Sequence, residues 1–566
     1  MKSKTVSKCD TQISNFKLRL DKLVLPIFIL ALILVGCAHK AEHADLVIHN
    51  AIVYTLDEEG TVTEAIAIKD GKIIETGKER HILNKYSADE YVDAKGRPVY
   101  PGFFDAHCHI LNYGKTFLEH NLTKYNSSWQ EILDKVKLKA DKDKSKWIIG
   151  RGWDQNEWAN KKFPTKSGLD QAFPNQPVYF VRVDGHAAVV NSKALELAGI
   201  TNETKVEGGT IMLENGEPNG ILIDNAMDLV TKVIPPVSEK DMRKAIVQAG
   251  ANTTSYGLTT LCDAGSSIDV FKLIEKLQDE NKFMSRVYGM LEPTQADFDF
   301  AKKEGKFNHK NQLLIQSFKI VSDGALGSRG ACLKSHYSDE ATTIGKLLFN
   351  PRVLDSLLGK MYDLNYQVNT HCIGDSANSL MIDLYGKYLE KTNDLRWRIE
   401  HAQVVSLNDI QKFAKYSIIP SVQPTHAISD MPWALDRVGN ERIKGAYAYQ
   451  TLLKQNGIIA LGTDFPVEEI NPFKTYYAAV TRKYYDGKPI PGFANETLSR
   501  MEALLGMTKW AARSVFMEEF TGTLEAGKCA DIIILNHDIL KVGEADILKT
   551  LVIQTYINGK RVHSLE

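Results

Sequence analysis

Cysteine is scarce in this chain, and its distribution excludes a disulfide-stabilised fold. There are 7 cysteines among 566 residues. Two lie in the N-terminal segment discussed below, and the other five are scattered rather than grouped. A scattered set of this kind is not a disulfide framework, even in an oxidising compartment. We expect most of the five to be small buried apolar residues: Cys108, Cys262, Cys332, Cys372 and Cys529.

An excess of charge is also missing, as are repeats and low-complexity tracts. The formal net charge is −1, with 25% charged residues, so the composition gives no sign of a nucleic-acid partner. Glycine and proline are spread along the chain, and no internal repeat is seen. The length allows one large domain or about two to four ordinary ones. These absences leave a folded globular protein with an unusual N-terminus.

The first 36 residues have the pattern of a bacterial lipoprotein signal peptide. A basic segment precedes the apolar run LVLPIFILALILV (residues 23–35), which is too short to span a membrane comfortably. The run ends in LVGC, which resembles the lipobox, whose cysteine is lipidated and becomes the new N-terminus. The resemblance implies a signal peptide at 1–36, a lipidated Cys37 and a tether at 37–45. The alternative is an uncleaved signal anchor. Ala38 is not an inner-membrane retention signal, which favours the outer membrane within the cell envelope.

Both ends of the remaining chain have β patterns. DLVIHNAIVYTL, EAIAIKDGKIIETG and EYVDAKGRPVY alternate or run apolar between turn signals within residues 46–101. ADIIILN and TLVIQTYINGKRVHS do the same within residues 510–566. Neither block alone has enough strands to bury a core. We therefore expect one small composite β-sandwich formed from both ends.

The middle of the chain, residues 102–509, alternates strand-like and helix-like segments. Helical patterns include residues 238–256 and 266–281. Eight strands alternating with helices predict an α/β fold of the (β/α)8 TIM-barrel type. The predicted strands lie at residues 102–109, 257–265, 285–291, 316–324, 366–372, 396–402, 417–424 and 457–464.

One interval departs from this alternation. The stretch between the first and second predicted strands is far longer than one crossover needs. Residues 125–235 are therefore predicted to be a large insertion after strand 1, forming a lobe over the barrel mouth.

Chemistry-bearing side chains follow several of the predicted strands at the same end. Barrel active sites lie at the C-terminal ends of the strands. In PGFFDAHCHI, residues 107 and 109 share one face of a strand, because successive side chains alternate. Alternation sends Cys108 to the other face. The residues that converge on one rim are His107, His109, Lys319, His371, His401 and Asp464.

This pattern resembles the amidohydrolase superfamily, and specifically its amidohydrolase family 3 branch. The resemblance covers roughly residues 45–566. The phrases that carry it, in order, are PGFFDAHCH, RGWDQNEW, RVDGHAAVVNSKAL, EPNGILID, KIVSDGALGSRGA, THCIGDSA, EHAQVV, QPTHAISD, LGTDFPV and GTLEAGKCADIIIL.

The resemblance implies a site with one or two divalent ions, with zinc as the first choice. His107, His109 and Asp464 would hold one ion, and His371 and His401 the other. A buried lysine tends to be neutral, so Lys319 could capture CO2 and bridge the ions as a carbamate. A water between the ions would lose its proton near neutral pH. Asp464 would act as the general base and pass the proton to the leaving nitrogen.

Each assignment has a structural alternative. The histidines could be structural residues at strand ends, and Asp464 could cap a helix before FPVEEI. Lys319 could be an ion-pairing lysine in a one-metal site. A ligand role for Cys108 is disfavoured by the alternation. The expected substrate-binding residues are His186, His426, Arg329 and Asp154, with Trp153 beside them in the lobe. Each histidine could equally be structural, and Arg329 could either meet a carboxylate or fix its loop.

The expected activity is hydrolysis of a non-peptide carbon–nitrogen bond. The resemblance to N-substituted formamide deformylases favours a linear amide or another N-acyl or N-formyl compound as the small-molecule substrate. A cyclic amide stays open, as does deamination of a ring, although aminohydrolases typically lack the barrel lysine. A lipid-anchored binding protein that has lost catalysis is the alternative outside the enzyme class. A homodimer is one option for the assembly.

Overall fold

The computed structural model describes residues 42–140, 146–390, 393–490 and 494–566. The predicted signal peptide and Cys37 lie outside the described residues. Within the described ranges, no helix combines the length and the apolar character needed to cross a membrane.

Strands and helices alternate through most of the described chain. The strands are β1 (Glu42–His49), β2 (Ile52–Tyr54), β3 (Val62–Thr63), β4 (Ala65–Lys69), β5 (Lys72–Gly77), β6 (Tyr86–Asp93), β7 (Pro98–Pro101), β8 (Phe103–Cys108), β9 (His120–Asn121), β10 (Ile148–Trp153), β11 (Val178–Arg182), β12 (Ala187–Val190), β13 (Gly209–Glu214), β14 (Glu217–Asp224), β15 (Leu258–Ser266), β16 (Arg286–Leu291), β17 (Phe307–His309), β18 (Leu313–Val321), β19 (Gln367–His371), β20 (Arg398–Glu400), β21 (Ile419–Val422), β22 (Ala460–Leu461), β23 (Ile532–Leu535), β24 (Val552–Ile557) and β25 (Lys560–Ser564). The α-helices are Glu79–Lys85, Ile110–Lys115, Trp129–Ala140, Lys166–Ala172, Ser192–Leu197, Asp228–Thr231, Glu239–Ser255, Ile268–Asp279, Gln295–Glu304, Pro351–Asp363, Asp375–Tyr385, Leu407–Tyr416, His426–Ser429, Met431–Arg442, Tyr449–Asn456, Pro472–Thr481, Arg500–Gly506, Lys509–Ser514 and Glu544–Ile547.

The predicted barrel is confirmed as a nearly closed sheet of eight parallel strands. Their order in the sheet is β8, β15, β16, β18, β19, β20, β21 and β22, which is also their order in the chain. Between the last strand and the first, Asp464 N donates to His107 O (2.8 Å) and His109 N donates to Phe465 O (2.9 Å). Strand β17 adds an antiparallel neighbour to β18. The carboxyl ends of the eight strands therefore surround one space.

The barrel strands are buried because helices cover their outer face. Every residue of β8 (FFDAHC) and β16 (RVYGML) is buried, as expected for parallel strands between two layers. The helix Glu239–Ser255 shows how the sequence sets such elements. Ser238 caps it by accepting a hydrogen bond from Asp241 N (3.1 Å), and its inner face buries Ile246 and Ala249.

Two sheets built from the beginning and the end of the described chain share one core. One has the order β5-β4-β1-β6, and the other has the order β25-β24-β23-β7-β2-β3. A shared apolar core includes Ile48 and Ile66 from the first sheet and Val99, Ile532 and Tyr556 from the second. A third sheet, β13-β14-β12-β11-β10-β9, lies in the chain between the first two barrel strands. Its own core contains Trp153 and Phe180.

Several local boundaries differ from the predictions, and three of them have a clear cause in the packing. Residues 79–85, predicted within a β region, form a helix with Ile82 buried, Glu79 in its first turn and Lys85 in its last, a charge order that suits the helix dipole. The last barrel strand is Ala460–Leu461 rather than residues 457–464, because the backbone N–H of Thr463 turns to Asp105 Oδ1 (3.0 Å). The apolar side chains of residues 511–517 pack with those of β8 and β16, beyond the predicted barrel limit at 509.

Candidate metal centre

The six residues predicted to converge all lie at the carboxyl ends of barrel strands. His107 is the penultimate residue of β8, and Lys319 lies near the end of β18. His371 is the last residue of β19, and His401 directly follows β20. Asp464 comes three residues after β22, and no helix begins there; the next α-helix starts at Pro472 with Asn471 as its cap. The backbones of His401 (φ 69°) and Asp464 (φ 63°) are left-handed, a conformation that is uncommon outside glycine and clusters at functional sites.

Three buried side chains come close enough to share one ion. One ligand atom each from His107, His401 and Asp464 lies within 4.8 Å of the other two. His109 Nε2 is 3.2 Å from Asp464 Oδ1, and Lys319 Nζ is 3.3 Å from His107 Nε2. Five of the six predicted residues therefore form one connected group.

His371 joins this group through a series of neighbouring imidazole rings. The ring centroids of His107 and His401 are 4.8 Å apart, and those of His401 and His371 are 4.6 Å apart. The series continues to His186, 5.1 Å from His371, and to His426, 6.0 Å from His401. Two predicted substrate-binding histidines thus border the predicted ligands.

The donor atoms of this cluster fit a divalent cation. His371 Nε2, His401 Nδ1 and Asp464 Oδ1 are buried without a hydrogen-bond partner. Buried polar atoms are rarely left unsatisfied, and imidazole nitrogen with carboxylate oxygen is a common ligand set for zinc. The residues present therefore suit such an ion.

The protonation states also suit ligation. Burial and the nearby Lys319 lower the pKa of His107 to about 4. Burial holds the pKa values of His371 and His401 well below the ordinary range and lowers the pKa of Lys319. Near neutral pH the three imidazoles are consequently uncharged, with a lone pair free for a ligand.

Asp464 is held as a carboxylate. Burial alone would raise its pKa, but the neighbouring imidazoles of His109 and His426 outweigh burial and place the pKa well below the usual value. His426 Nε2 lies 3.2 Å from Asp464 Oδ2, and its Nδ1 lies 3.2 Å from Glu468 Oε1. Although burial opposes it, these two carboxylates raise the pKa of His426 well above its ordinary value.

Sequence reasoning missed the group that orients His107. Its Nδ1–H donates to Glu400 Oε2 (2.5 Å), and Arg398 donates to both oxygens of Glu400, at 2.7 and 2.9 Å. This arrangement leaves His107 Nε2 facing the cluster. The signal was present in RWRIEHA, where two charged residues alternate along one strand face, because a barrel interior accepts such residues only as a pair.

Two further buried carboxylates at the rim were also missed. Asp323 accepts hydrogen bonds from the backbone N–H groups of Cys332, Ile373 and Gly374 (2.8–3.0 Å), and burial raises its pKa to about 7. Asp263 accepts from Ile110 N (2.7 Å), and its other oxygen is buried without a partner. Asp263 lies within β15 in TLCDAG, and Asp323 lies two residues after β18 in KIVSDG.

The remaining predicted residues lie in different environments. His186 Nδ1 contacts Asp224 Oδ1 (2.8 Å), beside His371. Asp154 pairs with Arg182. Arg329 pairs with Asp339 (2.8 Å), the loop-fixing contact that was one of its two predicted options.

Two side chains face away from the cluster. Trp153 is fully buried in the core of the third sheet, where its Nε1 donates to Phe180 O (2.8 Å). The expectation that it lines a pocket therefore does not hold. Cys108 is buried with Sγ 3.5 Å from Cys262 O, on the side opposite the histidines as the alternation predicted.

Comparison with known proteins identifies the family. A sequence model of the amidohydrolase family (Amidohydro_3) matches residues 90–563. The chain belongs to the amidohydrolase family. YtcJ of Bacillus subtilis (strain 168), which is named as an amidohydrolase, is 32% identical over 532 residues, or 91% of this chain and 98% of YtcJ.

Two other similarities extend the family assignment. The N-substituted formamide deformylase of Arthrobacter pascens is 22% identical over 534 residues, or 91% of this chain and 97% of the deformylase. The crystal structure of an uncharacterized metal-dependent hydrolase from Pyrococcus horikoshii OT3 superposes with a TM-score of 0.72 at 28% identity, covering 88% of this chain and 99% of the other. These similarities support a hydrolase that acts on carbon–nitrogen bonds.

Proposed function

We propose that this amidohydrolase uses one or two zinc-like ions to hydrolyse a linear, non-peptide amide or another N-acyl or N-formyl compound. The observation that carries the proposal is the buried group of His107, His401 and Asp464, whose ligand atoms lie within 4.8 Å of one another. The unsatisfied donor atoms of the cluster support it, because an ion would satisfy them.

The chain offers ligands for two neighbouring ions. In this proposal, His107, His109 and Asp464 hold one ion and His371 and His401 hold the other. Lys319 is buried with Nζ 3.3 Å from His107 Nε2, and as a carbamate formed with CO2 it would supply oxygen ligands to both ions. A divalent ion bound there lowers the pKa of a bound water and polarises a carbonyl group.

Asp464 is the proposed general base and acid. Its Oδ1 has no hydrogen-bond partner, whereas Oδ2 is held by His426 Nε2 at 3.2 Å. Oδ1 is therefore the oxygen that faces the candidate centre, and the carboxylate would accept a proton from the attacking water and return it to the leaving nitrogen. His426, itself held by Glu468, keeps the carboxylate oriented between these two tasks.

The substrate proposal follows the relative that is named for its substrate. The Arthrobacter pascens relative is named an N-substituted formamide deformylase. We extend only the bond type, a linear amide, to this chain. Hydrolysis of cyclic amides only, or deamination of ring amines only, would contradict the assignment of a linear amide substrate.

The surrounding chain has proposed roles as well. We propose that residues 125–235 form a lobe over the barrel mouth, supported by hydrogen bonds from Gln155 Nε2 to Gly327 O (3.4 Å) and from Arg437 Nη2 to Asn156 Oδ1 (2.8 Å). Residues 46–101 and 510–566 form the composite sandwich. Lipidation of Cys37 anchors the protein in the cell envelope, and labelling with radioactive palmitate, lost in Cys37→Ser, tests the anchor.

Hydrolysis of a panel of amides by zinc-loaded protein tests the proposed activity. The panel contains N-benzylformamide, N-acetylated amines, a cyclic imide and adenine, with release of amine or ammonia as the readout. We expect amine from the linear amides, and a kcat/KM that falls about 10²- to 10⁴-fold in Asp464→Asn, as for loss of a general base. Asp436→Asn, at an exposed position, is the matched control. Ammonia from adenine alone would make the protein a deaminase, and no turnover with metal bound would favour the binding protein.

A further inference from the structure

One arginine beside the candidate centre has no acidic partner. Arg151 lies in β10, and its Nη2 donates to Val183 O (3.1 Å). Its Nε is buried and makes no hydrogen bond. Among the described residues, Arg151 forms no ion pair. A guanidinium with open donors in a crowded, partly exposed position is a strong anion-binding group.

The guanidinium of Arg151 faces the same space as the histidine cluster. It lies flat against Gly185, where an added Cβ would be 3.0 Å from Nη2 and 3.4 Å from Nη1. The backbone there has φ +78°, so glycine suits both the turn and the close approach. The next residue, His186, places its ring 5.1 Å from that of His371. Residues 183–186 are all partly exposed, as expected for the wall of a cleft.

The other arginines of this region already have carboxylate partners. Arg182 pairs with both Asp154 and Asp184, and Arg329 and Arg437 both pair with Asp339. The acidic groups that act on Arg151 are Asp184, Asp464 and Glu119, and they only partly offset the burial that lowers its pKa. Asp184 is already occupied by Arg182 and by the backbone N–H of His186. Of these four arginines, Arg151 is thus the one that pairs with no carboxylate.

We propose that Arg151 binds a carboxylate on the substrate, so that the preferred substrates are amides that carry an acid group, such as N-acylated or N-formylated amino acids. The assignment rests on the proposed function, because it names the substrate class of that same site. The two edges of a guanidinium can bind a carboxylate through paired N–H donors, which also fixes the orientation of the substrate. The acid group would then lie beside His186, and the amide bond would extend toward His371 and Asp464.

Matched pairs of amides test whether Arg151 binds the substrate carboxylate or only offsets nearby negative charge in the protein. The probes are the N-formyl and N-acetyl derivatives of racemic alanine, leucine and phenylalanine, each compared with its neutral carboxamide. They are assayed with the zinc-loaded full chain as wild type, Arg151→Met and Arg151→Lys. We expect wild type to prefer the acids. In Arg151→Met, kcat/KM for the acids falls about 10- to 100-fold, mainly through KM, as for loss of a charge-assisted hydrogen bond. The values for the carboxamides change less than about threefold.

Two further measurements test carboxylate binding without relying on turnover and check that the variants are folded and loaded with metal. The acids should raise the Tm of metal-free wild type but not of metal-free Arg151→Met, because a ligand stabilises only a protein that binds it. Zinc content should be equal in the three proteins. Arg151→Lys keeps the charge without the fork of donors and should retain part of the preference.

The outcomes distinguish this inference from the proposed function. Equal loss for acids and carboxamides in Arg151→Met, or wild type that hydrolyses only neutral amides, would overturn the carboxylate assignment and leave the hydrolase intact. Acids that raise the Tm of wild type but not of Arg151→Met, without being hydrolysed, would support carboxylate binding by Arg151 and leave the hydrolase to be decided by the amide panel. If wild type neither hydrolyses nor binds the acids, the carboxylate assignment is overturned, and the amide panel alone then decides the hydrolase.

Discussion

The orientation of His107 depends on a buried pair that does not touch the proposed ion. Glu400 accepts from His107 Nδ1, and Arg398 binds Glu400 while also donating to Ala106 O (2.8 Å). Burial would raise the pKa of Glu400, but Arg398 and His107 hold it far below the ordinary value. Glu400 therefore stays charged and keeps His107 in the tautomer that presents Nε2 to the cluster.

Replacing Glu400 should weaken metal binding and stability by separable routes. Glu400→Gln removes the charge that orients His107, so we expect zinc affinity to fall about 10- to 100-fold. It also leaves Arg398 buried without its partner, which should lower the free energy of unfolding by about 3–5 kcal/mol. Competition with a chelator and urea denaturation measure the two effects.

The double variant Arg398→Met/Glu400→Gln is the matched control. It removes the unpaired charge, so stability should largely return while zinc affinity stays low. Wild-type zinc affinity in both variants would contradict the role given to Glu400.

At the scale of elements, the barrel closes where β8 approaches the short strand β22. Gly462 makes this approach possible, since a Cβ there would lie 2.5 Å from the backbone nitrogen of His107 and 2.9 Å from Asp105 Oδ1. The hydrogen bond from Asp464 N to His107 O depends on the same spacing. The same close approach of β8 and β22 therefore closes the barrel and places the predicted ligands His107 and Asp464.

A methyl group at position 462 should disturb both the closure of the barrel and the placement of His107 and Asp464. We expect Gly462→Ala to lower the free energy of unfolding by about 1–3 kcal/mol through overpacking and to reduce zinc per chain. Gly543→Ala, where the nearest atom to an added Cβ is at 3.5 Å, is the control. Urea denaturation and elemental analysis report the outcome, and a Gly462→Ala protein indistinguishable from Gly543→Ala would refute the account.

The sequence predicts strand positions better than strand ends. Each of the eight barrel strands overlaps its predicted segment, because continuous apolar runs between helical patterns specify them locally, although β15 ends one residue later and β18 begins three residues earlier than predicted. The sequence could not predict that β22 has only two residues, because its end depends on the hydrogen bond from Thr463 N to Asp105 Oδ1, 358 residues away in the chain. The ligands that follow strands, His401 and Asp464, were found through motifs. Glu400, Asp323, Asp263 and Arg151 were missed because their roles depend on partners from other strands or from the lobe.

In the molecule as a whole, one buried ion pair joins the barrel to the C-terminal β segment. Arg286 begins β16, and its Nε and Nη2 donate to Asp531, immediately before β23, at 2.6 and 3.1 Å. Both side chains are about 1% exposed. Asp531 also accepts from Asn558 N (2.9 Å), which ties in the turn between β24 and β25.

Breaking this pair should destabilise the whole chain rather than one part. In Asp531→Asn, Arg286 is left buried without a partner, and we expect a loss of about 3–5 kcal/mol in the free energy of unfolding. Arg286→Met/Asp531→Asn should recover part of it. Denaturation followed separately by far-UV circular dichroism and by tryptophan fluorescence should give coincident, lowered midpoints. A second transition, with the first unchanged, would contradict joint folding.

The proposed hydrolase depends on metal binding by the histidine–aspartate cluster, with Lys319 as the proposed bridge. Elemental analysis of zinc per full-length chain, prepared with zinc and bicarbonate, tests it most directly in wild type, Lys319→Ala and the exposed control Lys276→Ala. We expect two ions in wild type and in the control, and one or none in Lys319→Ala. One ion in all three would contradict the bridging role of Lys319, and no zinc in wild type would contradict the hydrolase itself.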